Sequence, residues 1–522
     1  MKRNKLVLLI LAFSLLLSGC VSNRGLLSDL GVGGGSRQPN IVMILTDDQD
    51  LLLDSMDYMP QVDALLAKRG TTFSNFFVSL PLCCPARAMV LRGEYSHNNG
   101  ILTNLWPTGG FAKAYTSGFE YNTIATALHD AGYRTALIGK YLNGYPNSDN
   151  LTYIPPGWDE WWAPITDSAY GSYDYKVNHN GVIEEYGSAP EDYITDVISD
   201  QGMAFIRQTT TVSPTQPFFM ALNFYAPHSP ARPAPRHKDL FPDVQAPRRP
   251  SFNEEDVSDK PPFMQTAPPL TEEQIQEMDT LYRRRLQSLQ AVDEAVATLV
   301  QTLEETGQLD NTYIFFLSDN GFHMGEHRML SGKGMPYEED IHLPLVVRGP
   351  GVRKNAVRDD LATMIDMAPT FAAIAGAQMT NSVDGRSLLP LLGIRWPGLD
   401  WRNSLLLEHY TAPSSEENKS MSESLEPPDP GDLQQETLAI QLPDYAGIRT
   451  TQYKYIQRLG AARELYDLIE DPYELNNLWS SADPQFQAEL TALLESYQRC
   501  VGATCRAIEA QPAPKFRLIA AP

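Results

Sequence analysis

The sequence has little of several features that mark particular protein classes. It holds five cysteines among 522 residues, and 64 acidic side chains outnumber 41 basic ones, which gives a formal net charge of -23. So few cysteines exclude a small disulfide scaffold, and the shortage of Lys and Arg argues against a nucleic-acid partner, because such binding depends on their contacts with phosphates. No repeat period is visible. The hydrophobic content of 43% excludes a collagen-like or wholly disordered chain, and we expect one large domain with a smaller one attached.

The N-terminus is typical of an exported protein. Three basic residues precede an apolar run over residues 6–17, which is too short for a membrane-spanning helix but suits the core of a signal peptide. The run ends in Leu-Ser-Gly-Cys at Cys20, which resembles the lipobox of bacterial lipoproteins. We therefore predict a lipoprotein signal peptide over 1–19, a lipid anchor at Cys20 and a flexible tether over 20–38. The protein would then be exported and anchored to a bacterial cell membrane, in the periplasm or at the surface, with an ordinary cleavable signal as the alternative.

Apolar, strand-like runs alternate with helix-like stretches along the rest of the chain. The strand-like runs are residues 41–45, 134–138, 218–224, 313–317 and 343–347. The helix-like stretches include residues 62–68 and a long amphipathic segment over 271–306, with Thr271 and Gln274 as a capping box and Gly307 as a stop. This alternation predicts an α/β fold with a mostly parallel sheet covered by helices on both faces.

Polar side chains follow four of these strand-like runs. They are Asp47 and Asp48, Lys140, His228, and Asp319 with Asn320. Because ligands of open α/β sheets bind beyond the carboxyl ends of the strands, these side chains are expected to converge in one crevice. Three carboxylates and an amide suit a hard cation such as Ca²⁺ or Mg²⁺, whereas the lysine and the histidine suit an anion and a proton transfer. The alternative is that strand ends are polar simply because they meet water.

The most specific segment is Cys83-Cys84-Pro85-Ala86-Arg87, which precedes the stretch Gly-Glu-Tyr-Ser-His-Asn at 93–98. The spacing Cys-x-Pro-x-Arg resembles the signature of the sulfatase family, in which the first cysteine is oxidised to Cα-formylglycine during export. The Asp-Asp pair upstream and the Asp-Asn-Gly run downstream stand in sulfatase order, so the resemblance covers nearly all of the mature chain. The alternative interpretation is that both cysteines are buried small hydrophobic residues.

Further segments resemble one branch of the family, the N-acetylglucosamine-6-sulfatases and extracellular heparan endosulfatases. They are the Cys-Cys-Pro run, Gly139-Lys140-Tyr141-Leu142-Asn143, Tyr225-Ala226-Pro227-His228, residues 333–338 and Arg348-Gly349-Pro350. Many other sulfatases have Gly-Lys-Trp-His in the second of these segments, so the histidine that assists the hydrated aldehyde in those enzymes is missing at this place. His97 and Asn143 are the candidates for its replacement.

The resemblance implies a mechanism and a role for each site residue. Formylglycine at Cys83, made by a formylglycine-generating enzyme, is hydrated to a diol; one hydroxyl attacks sulfur and the other later expels sulfate. His228 protonates the leaving alcohol, while Lys140, Lys333 and Arg87 neutralise the sulfate oxygens. The cation, Ca²⁺ by preference with Mg²⁺ as the alternative, is expected to be held by Asp47, Asp48, Cys83, Asp319 and Asn320.

The resemblance also implies the architecture. We expect an alkaline-phosphatase-like fold, with a large mixed, mostly parallel sheet flanked by helices in a catalytic domain over 39–395. A smaller C-terminal antiparallel α+β domain is expected over 396–522, with a flexible Ser-, Glu- and Pro-rich insertion at 411–436. Cys500 and Cys505 lie close together in an exported chain, which predicts a local disulfide.

The implied substrate is a sulfate ester on carbohydrate, in particular the 6-O-sulfate of N-acetylglucosamine or glucosamine in a glycan. An arylsulfatase of broad specificity, and a phosphomonoester or phosphodiester hydrolase on the same fold, are alternatives. A glycan-binding surface lipoprotein without catalysis is a third.

One motif points to different chemistry. Residues 323–327 fit the His-x-x-Glu-His pattern of inverted zinc peptidases, which requires a helix. Here the motif follows a strand, and Gly325 would weaken a helix by about 1 kcal/mol relative to Ala. We interpret these residues as a loop near the cleft, with His323 as a candidate substrate contact.

Overall fold

The computed structural model describes residues 37–393, 401–412, 443–460 and 462–519. The strands are β1 (Asn40–Thr46), β2 (Thr71–Phe73), β3 (Phe76–Phe77), β4 (Arg134–Gly139), β5 (Glu160–Pro164), β6 (Lys176–His179), β7 (Val182–Glu185), β8 (Phe218–Asn223), β9 (Thr312–Ser318), β10 (His342–Leu343), β11 (Leu345–Arg348), β12 (Ala356–Arg358), β13 (Ala362–Thr363), β14 (Ser404–His409), β15 (Tyr445–Thr450), β16 (Tyr453–Arg458) and β17 (Arg463–Asp467). The α-helices are α1 (Pro60–Val62), α2 (Cys83–Arg92), α3 (Ser96–Asn99), α4 (Gly110–Ser117), α5 (Ile124–Asp130), α6 (Ile194–Val212), α7 (Pro262–Gln265), α8 (Glu272–Glu305), α9 (Glu338–Ile341), α10 (Met367–Ala375), α11 (Leu389–Leu392), α12 (Pro484–Tyr497) and α13 (Ala503–Ala510).

Ten of these described strands form one sheet in the order β12-β2-β11-β9-β1-β8-β4-β5-β6-β7. The central strands β9, β1, β8, β4 and β5 are parallel neighbours, and the antiparallel pairs lie toward the two edges. The prediction of a large mixed, mostly parallel sheet is therefore confirmed.

Helices cover both faces of this sheet, which explains why the central strands are apolar throughout. In β1, Ile41, Met43 and Leu45 belong to one core cluster with residues of α2, α5 and α10. Val42 and Ile44 belong to another cluster with residues of α6 and α8. Successive side chains of a strand point to opposite faces, so a run without polar alternation is buried on both sides.

The long helix α8 has the predicted ends. The Thr271 hydroxyl accepts the Gln274 N–H at 3.3 Å, and the Gln274 side chain accepts the Thr271 N–H at 2.9 Å, which completes the capping box. After the helix, Gly307 adopts a φ of +66°, a left-handed conformation that favours glycine.

The run over 343–347, predicted as a single strand, is instead divided. Its first part belongs to β10, which pairs with β3 in a small sheet, and its second part belongs to β11, which pairs with β9 in the main sheet. Pro344 stands between them, and because proline has no N–H to donate, it interrupts a strand at this position.

The C-terminal region forms a separate, antiparallel sheet. Within the described ranges its order is β14-β15-β16-β17, and α12 and α13 follow it along the chain. Cys500 and Cys505 form the predicted disulfide. The predicted smaller antiparallel α+β part of the fold is thus present, while the exact boundary at 395/396 stays a prediction.

Several predicted segments fall outside the described residues. They are the signal peptide, the lipid anchor at Cys20, nearly all of the tether, and the insertion from residue 413 onward. Among the described helices, none combines the length and the apolar character needed to cross a membrane.

Candidate active site

Cys83 is the first residue of helix α2 and is fully buried. The helix begins directly after Leu82, whose backbone is extended. Pro85 is tolerated in the first turn because the N–H groups there lack intrahelical partners. Cys83 Sγ lies 3.5 Å from Asp47 Oδ1 and 3.3 Å from Lys333 Nζ. The positive end of the α2 dipole therefore meets this group of charged side chains.

The neighbouring Cys84 has different surroundings. Its sulfur lies against the backbone N–H groups of Gly110 and Asn143, and burial raises the pKa of the thiol to about 12. Its own N–H donates to Asn104 Oδ1 at 2.9 Å. Of the two adjacent cysteines, Cys83 is the one beside the carboxylates.

The carboxylates follow two adjacent parallel strands. Thr46 at the end of β1 pairs with Ser318 at the end of β9, so the residues that follow each strand are neighbours. The Asp48 N–H donates to Asp319 Oδ1 at 3.0 Å, and Asn320 Nδ2 donates to Asp48 Oδ1 at 2.7 Å. Asp47, Asp48, Asp319 and Asn320 are all fully buried.

The backbone at Asp48 is strained into the left-handed region, with a φ of 65°. Arg285, in the middle of α8, donates through Nη2 to the Asp48 carbonyl oxygen at 2.6 Å and thereby supports this conformation. A non-glycine residue in this region is unfavourable by about 1–3 kcal/mol and persists where surrounding contacts hold it, commonly at functional sites.

Basic side chains from four segments enter the same site. Lys140 Nζ lies 2.6 Å from Asp47 Oδ2, and Lys333 Nζ lies 2.9 Å from each Asp48 oxygen. Arg87 Nε donates to Asp319 Oδ2 at 2.9 Å, and Arg87 Nη2 lies 2.8 Å from the same oxygen in an ion pair. His228 Nε2 lies 3.0 Å from Lys333 Nζ. The predicted site residues therefore converge.

Lys140 is positioned by the glycine that precedes it. Gly139 has a φ of +113°, and a Cβ atom there would lie 1.9 Å from the carbonyl oxygen of Asn223 in β8. The Lys140 carbonyl accepts hydrogen bonds from Arg87 and Asn223. A side chain at position 139 would thus push β4 away from β8 and displace the lysine.

The two carboxyl groups nearest Arg87 have opposite pKa shifts. Burial alone would raise the pKa of Asp47, but Lys140, His228 and Arg87 outweigh it and hold the pKa below its ordinary value. Burial and the neighbouring Asp47 carboxylate raise the pKa of Asp319 to about 7. Without a further positive charge, one carboxyl of the pair is therefore driven toward its neutral form.

A hard divalent cation fits these residues. Asp47, Asp48, Cys83 and His228 offer ligand atoms that all lie within 4.8 Å of one another. Asn320 Oδ1 is buried and, among the described residues, accepts no hydrogen bond. Carboxylate and amide oxygens are the ligands such a cation prefers, and its charge would relieve the repulsion that raises the pKa of Asp319.

The two candidates for the replacement of the missing histidine have the following neighbours, and their role stays a prediction. His97 contacts Glu408 Oε2 at 3.0 Å and the Cys500 carbonyl oxygen at 3.2 Å, so it faces the C-terminal region. The Asn143 carbonyl accepts the Phe111 N–H at 2.7 Å, and the Asn143 N–H lies against the Cys84 sulfur.

The His-x-x-Glu-His segment has no zinc geometry. Residues 323–327 form no helix, and the two histidines bind different carboxylates. His323 Nδ1 lies 2.9 Å from Asp340 and His327 Nδ1 lies 2.6 Å from Glu254. The interpretation of this segment as a loop is confirmed.

Two residues in contact with the site were missed by sequence reasoning. The Tyr170 ring lies 4.7 Å from the His228 ring and 4.9 Å from Lys140 Nζ. Arg285 falls on the apolar face of the predicted helix, between Met278 and Leu289, and a charge on that face was the available signal. Tyr170 lies in a short 3-10 helix, Asp167–Gly171, which has no periodicity to reveal it.

Known proteins share both the sequence pattern and the fold. A family model described as sulfatase matches residues 39–377. Human N-acetylglucosamine-6-sulfatase is 36% identical over a match that covers 94% of this chain and 89% of that protein. The chain belongs to the sulfatase family. As a member it is a sulfuric ester hydrolase, as the signature around Cys83 implied.

Two further comparisons are with a longer relative and with a solved structure. A Caenorhabditis elegans protein described as an extracellular sulfatase Sulf-1 homologue is 40% identical, over 72% of this chain but only 53% of that longer protein. A solved structure, described as a complex with the substrate D-glucosamine-2-N,6-O-disulfate, has a TM-score of 0.69 and 25% identity and covers 89% of this chain and 98% of its own. The expected alkaline-phosphatase-like fold is thereby confirmed.

Proposed function

We propose that this sulfatase removes sulfate from carbohydrate, using a formylglycine made from Cys83 as its nucleophile. The proposed substrate class is the 6-O-sulfate of glucosamine or N-acetylglucosamine in glycans. This class is supported by the name of the human relative and by the sulfated glucosamine bound in the solved relative. The observation that carries the reaction is the cluster of four basic side chains beside the buried Cys83: Lys333 contacts its sulfur and His228, while Arg87 and Lys140 contact the neighbouring Asp47. Such a cluster suits an anionic sulfate group.

The proposed cation is Ca²⁺, with Mg²⁺ as the alternative. Its ligands would be Asp47, Asp48, Asp319, Asn320 and the modified residue at 83. Ca²⁺ is preferred because it tolerates irregular coordination by many oxygens, whereas Mg²⁺ demands a near-ideal octahedron. When bound, the cation would neutralise charge on sulfate oxygens and make a hydroxyl at position 83 more nucleophilic.

The side chains of the chain itself have distinct proposed roles. Lys140 and Lys333 stabilise negative charge on the sulfate oxygens. Arg87 acts indirectly, through its hydrogen bonds to Asp319 and to the Lys140 carbonyl. As the ester S–O bond breaks, its electron pair stays on the leaving oxygen, and His228 supplies the proton that makes it an alcohol. The hydrated formylglycine provides one hydroxyl to attack sulfur and a second to release sulfate.

Export, lipid anchoring at Cys20 and maturation by a formylglycine-generating enzyme belong to the same proposal. They rest on the N-terminal sequence and on the Cys-x-Pro-x-Arg signature. The description of the C. elegans relative as extracellular is consistent with export. The division into a catalytic domain over 39–395 and a C-terminal subdomain over 396–522 also stays a proposal.

The test combines mass spectrometry with product analysis. The peptide that holds both cysteines should carry an aldehyde at 83 and an intact thiol at 84. The enzyme should release sulfate from 6-O-sulfated glucosamine saccharides, and Cys83→Ala should abolish turnover, whereas the matched Cys84→Ala variant should still carry the aldehyde.

Each alternative has its own outcome in this test. An aldehyde at 84 would show that the assigned register is wrong. Phosphate release in preference to sulfate would favour a phosphoester hydrolase, and rapid hydrolysis of aryl sulfates without action on any 6-O-sulfated sugar would leave an arylsulfatase. An unmodified Cys83 with full glycan binding would favour the non-catalytic lipoprotein.

A further inference from the structure

Tyr170 is a buried aromatic side chain at the wall of the site, only 7% exposed. Its ring centroid lies 4.7 Å from that of His228, with the planes tilted by 52°. Lys140 Nζ lies 4.9 Å from the same ring, within the range of a cation–π interaction. The Tyr225 ring packs edge-on against it at 4.9 Å. One ring therefore contacts two of the side chains to which we assign the chemistry.

The orientation of His228 depends on more than its hydrogen bonds. Its Nδ1 donates to the adjacent Ser229 carbonyl at 2.8 Å, which turns Nε2 toward Lys333 at 3.0 Å and Asp48 at 3.5 Å. A hydrogen bond at Nδ1 fixes one atom of the imidazole, whereas contact with a second ring restrains its plane. In this site Tyr170 supplies that contact.

The segment that carries Tyr170 is fixed to the segment that carries His228. The Arg232 guanidinium lies 4.6 Å from the Tyr173 ring, and its Nη1 donates to the Gly171 carbonyl at 3.5 Å. The Tyr193 hydroxyl in turn donates to the Arg232 carbonyl at 2.9 Å. The backbone between these contacts is also strained, since Ser172 has a φ of 67°. Tyr170 is thus held at a set distance from His228.

We propose that Tyr170 is a positioning residue that aligns the His228 imidazole for protonation of the leaving oxygen. This inference rests on the proposed role of His228. An alkyl sulfate on a sugar leaves as an alkoxide and needs that proton as the S–O bond breaks, whereas a nitrophenyl sulfate leaves as a stabilised phenolate and needs it far less. Tyr170 should therefore favour sugar sulfates over activated aryl sulfates.

The experiment measures kcat/KM on glucosamine 6-sulfate and on nitrophenyl sulfate for each variant. Tyr170→Leu should lower the sugar value about ten-fold more than the aryl value, a small part of the roughly 100- to 10,000-fold that a positioned general acid contributes. Tyr170→Met removes the ring while filling similar space with a flexible side chain, and it serves in place of the leucine variant if that fails to fold. Tyr170→Phe keeps the ring, so its ratio of the sugar value to the aryl value should be close to that of the wild type.

Two further variants complete the design. Tyr133→Leu is the matched control, because Tyr133 is also a buried tyrosine but its hydroxyl donates to the Pro39 carbonyl at 2.8 Å, just before β1 and at the opposite end of the sheet from the site, and it should leave the ratio unchanged. His228→Gln removes the proposed proton donor, so its kcat/KM on the sugar sulfate should fall much further than its kcat/KM on the aryl sulfate.

The possible failures are distinguishable. Equal losses on both substrates in Tyr170→Leu and Tyr170→Met, beside a strong leaving-group dependence in His228→Gln, would overturn the inference alone. No leaving-group dependence in His228→Gln, or no sulfate release from glucosamine 6-sulfate by the wild type, would overturn the proposed function and the inference together.

Discussion

A buried ion pair joins the segment after Lys333 to the C-terminal sheet, and removing it should destabilise the protein. Glu338 begins α9, five residues after Lys333, and its carboxylate lies 2.9 Å from Arg449 Nη2 on β15 and 3.3 Å from Lys454 Nζ on β16. The Glu338 and Arg449 side chains are each only 7% exposed. Arg449→Met would leave the carboxylate buried with less compensating charge, which is unfavourable by about 3–5 kcal/mol.

This loss of unfolding free energy corresponds to a shift in melting temperature. For a folded unit of roughly 490 residues, Arg37–Pro522, an unfolding entropy of about 2.1 cal/mol/K per residue gives about 1 kcal/mol/K in total, so the melting temperature should fall by about 3–5 °C. The matched control is Arg207→Met, whose partner Glu305 lies 3.1 Å away with both side chains about half exposed. An exposed pair contributes at most about 1 kcal/mol, so this variant should shift the melting temperature by about 1 °C or less.

The effect should also depend on pH with a definite sign. Burial alone would raise the pKa of Glu338, but Arg449 and Lys454 outweigh it and hold the pKa below its ordinary range. A lowered pKa in the folded state contributes stability that is fully present above the unfolded pKa, about 4.3, and is lost as the pH falls further. The difference in melting temperature between wild type and Arg449→Met should therefore be largest near neutral pH and shrink below about pH 4.

The assay is thermal unfolding followed by calorimetry between acid and neutral pH. A shift in Arg449→Met no larger than in Arg207→Met at neutral pH would refute the reasoning. A shift that grows toward acid would refute the assigned sign.

Two further predictions concern catalysis. Chelation should abolish sulfate release and Ca²⁺ should restore it, because the proposed site of carboxylates and Asn320 Oδ1 would hold a hard cation. Restoration by Zn²⁺ alone, with dependence on His323 and His327, would contradict the site assignment. Turnover on a sulfated polymer should rise as salt is added from low ionic strength, because a chain with net charge -23 repels a polyanion until the charges are screened beyond about 8 Å at physiological salt. Initial rates on polymer and on glucosamine 6-sulfate over a salt series would test this, and an equal salt response of both substrates would contradict it.

Much of the fold and of the site followed from local sequence. The apolar runs identified the central strands because a strand buried on both faces has no polar alternation. Asp47 and Asp319 could be brought together because parallel strands present their carboxyl ends at one edge of the sheet, and the register of Thr46 with Ser318 does this.

The rest depended on contacts between distant segments. Tyr170 lies in a 3-10 helix of five residues that is contacted by Arg232, some sixty residues later. Pro344 was the one signal that the run over 343–347 would be divided, but the sequence did not indicate that its two parts would join different sheets. His97 belongs to a motif that resembles the family signature, yet its partners, Glu408 and Cys500, lie more than three hundred residues away.

The complete burial of Cys83 has a consequence for how the enzyme is made. Its side chain has no exposed surface in the folded chain, and Asp47 and Lys333 contact it directly. A modifying enzyme could not bring its own active site to this sulfur without unfolding the first turn of α2. Under the proposed chemistry, the aldehyde must therefore be installed while the chain is still unfolded, so the order of synthesis, oxidation and folding decides whether a given molecule is ever active. Copies that fold before the cysteine is oxidised would have the native fold but no activity.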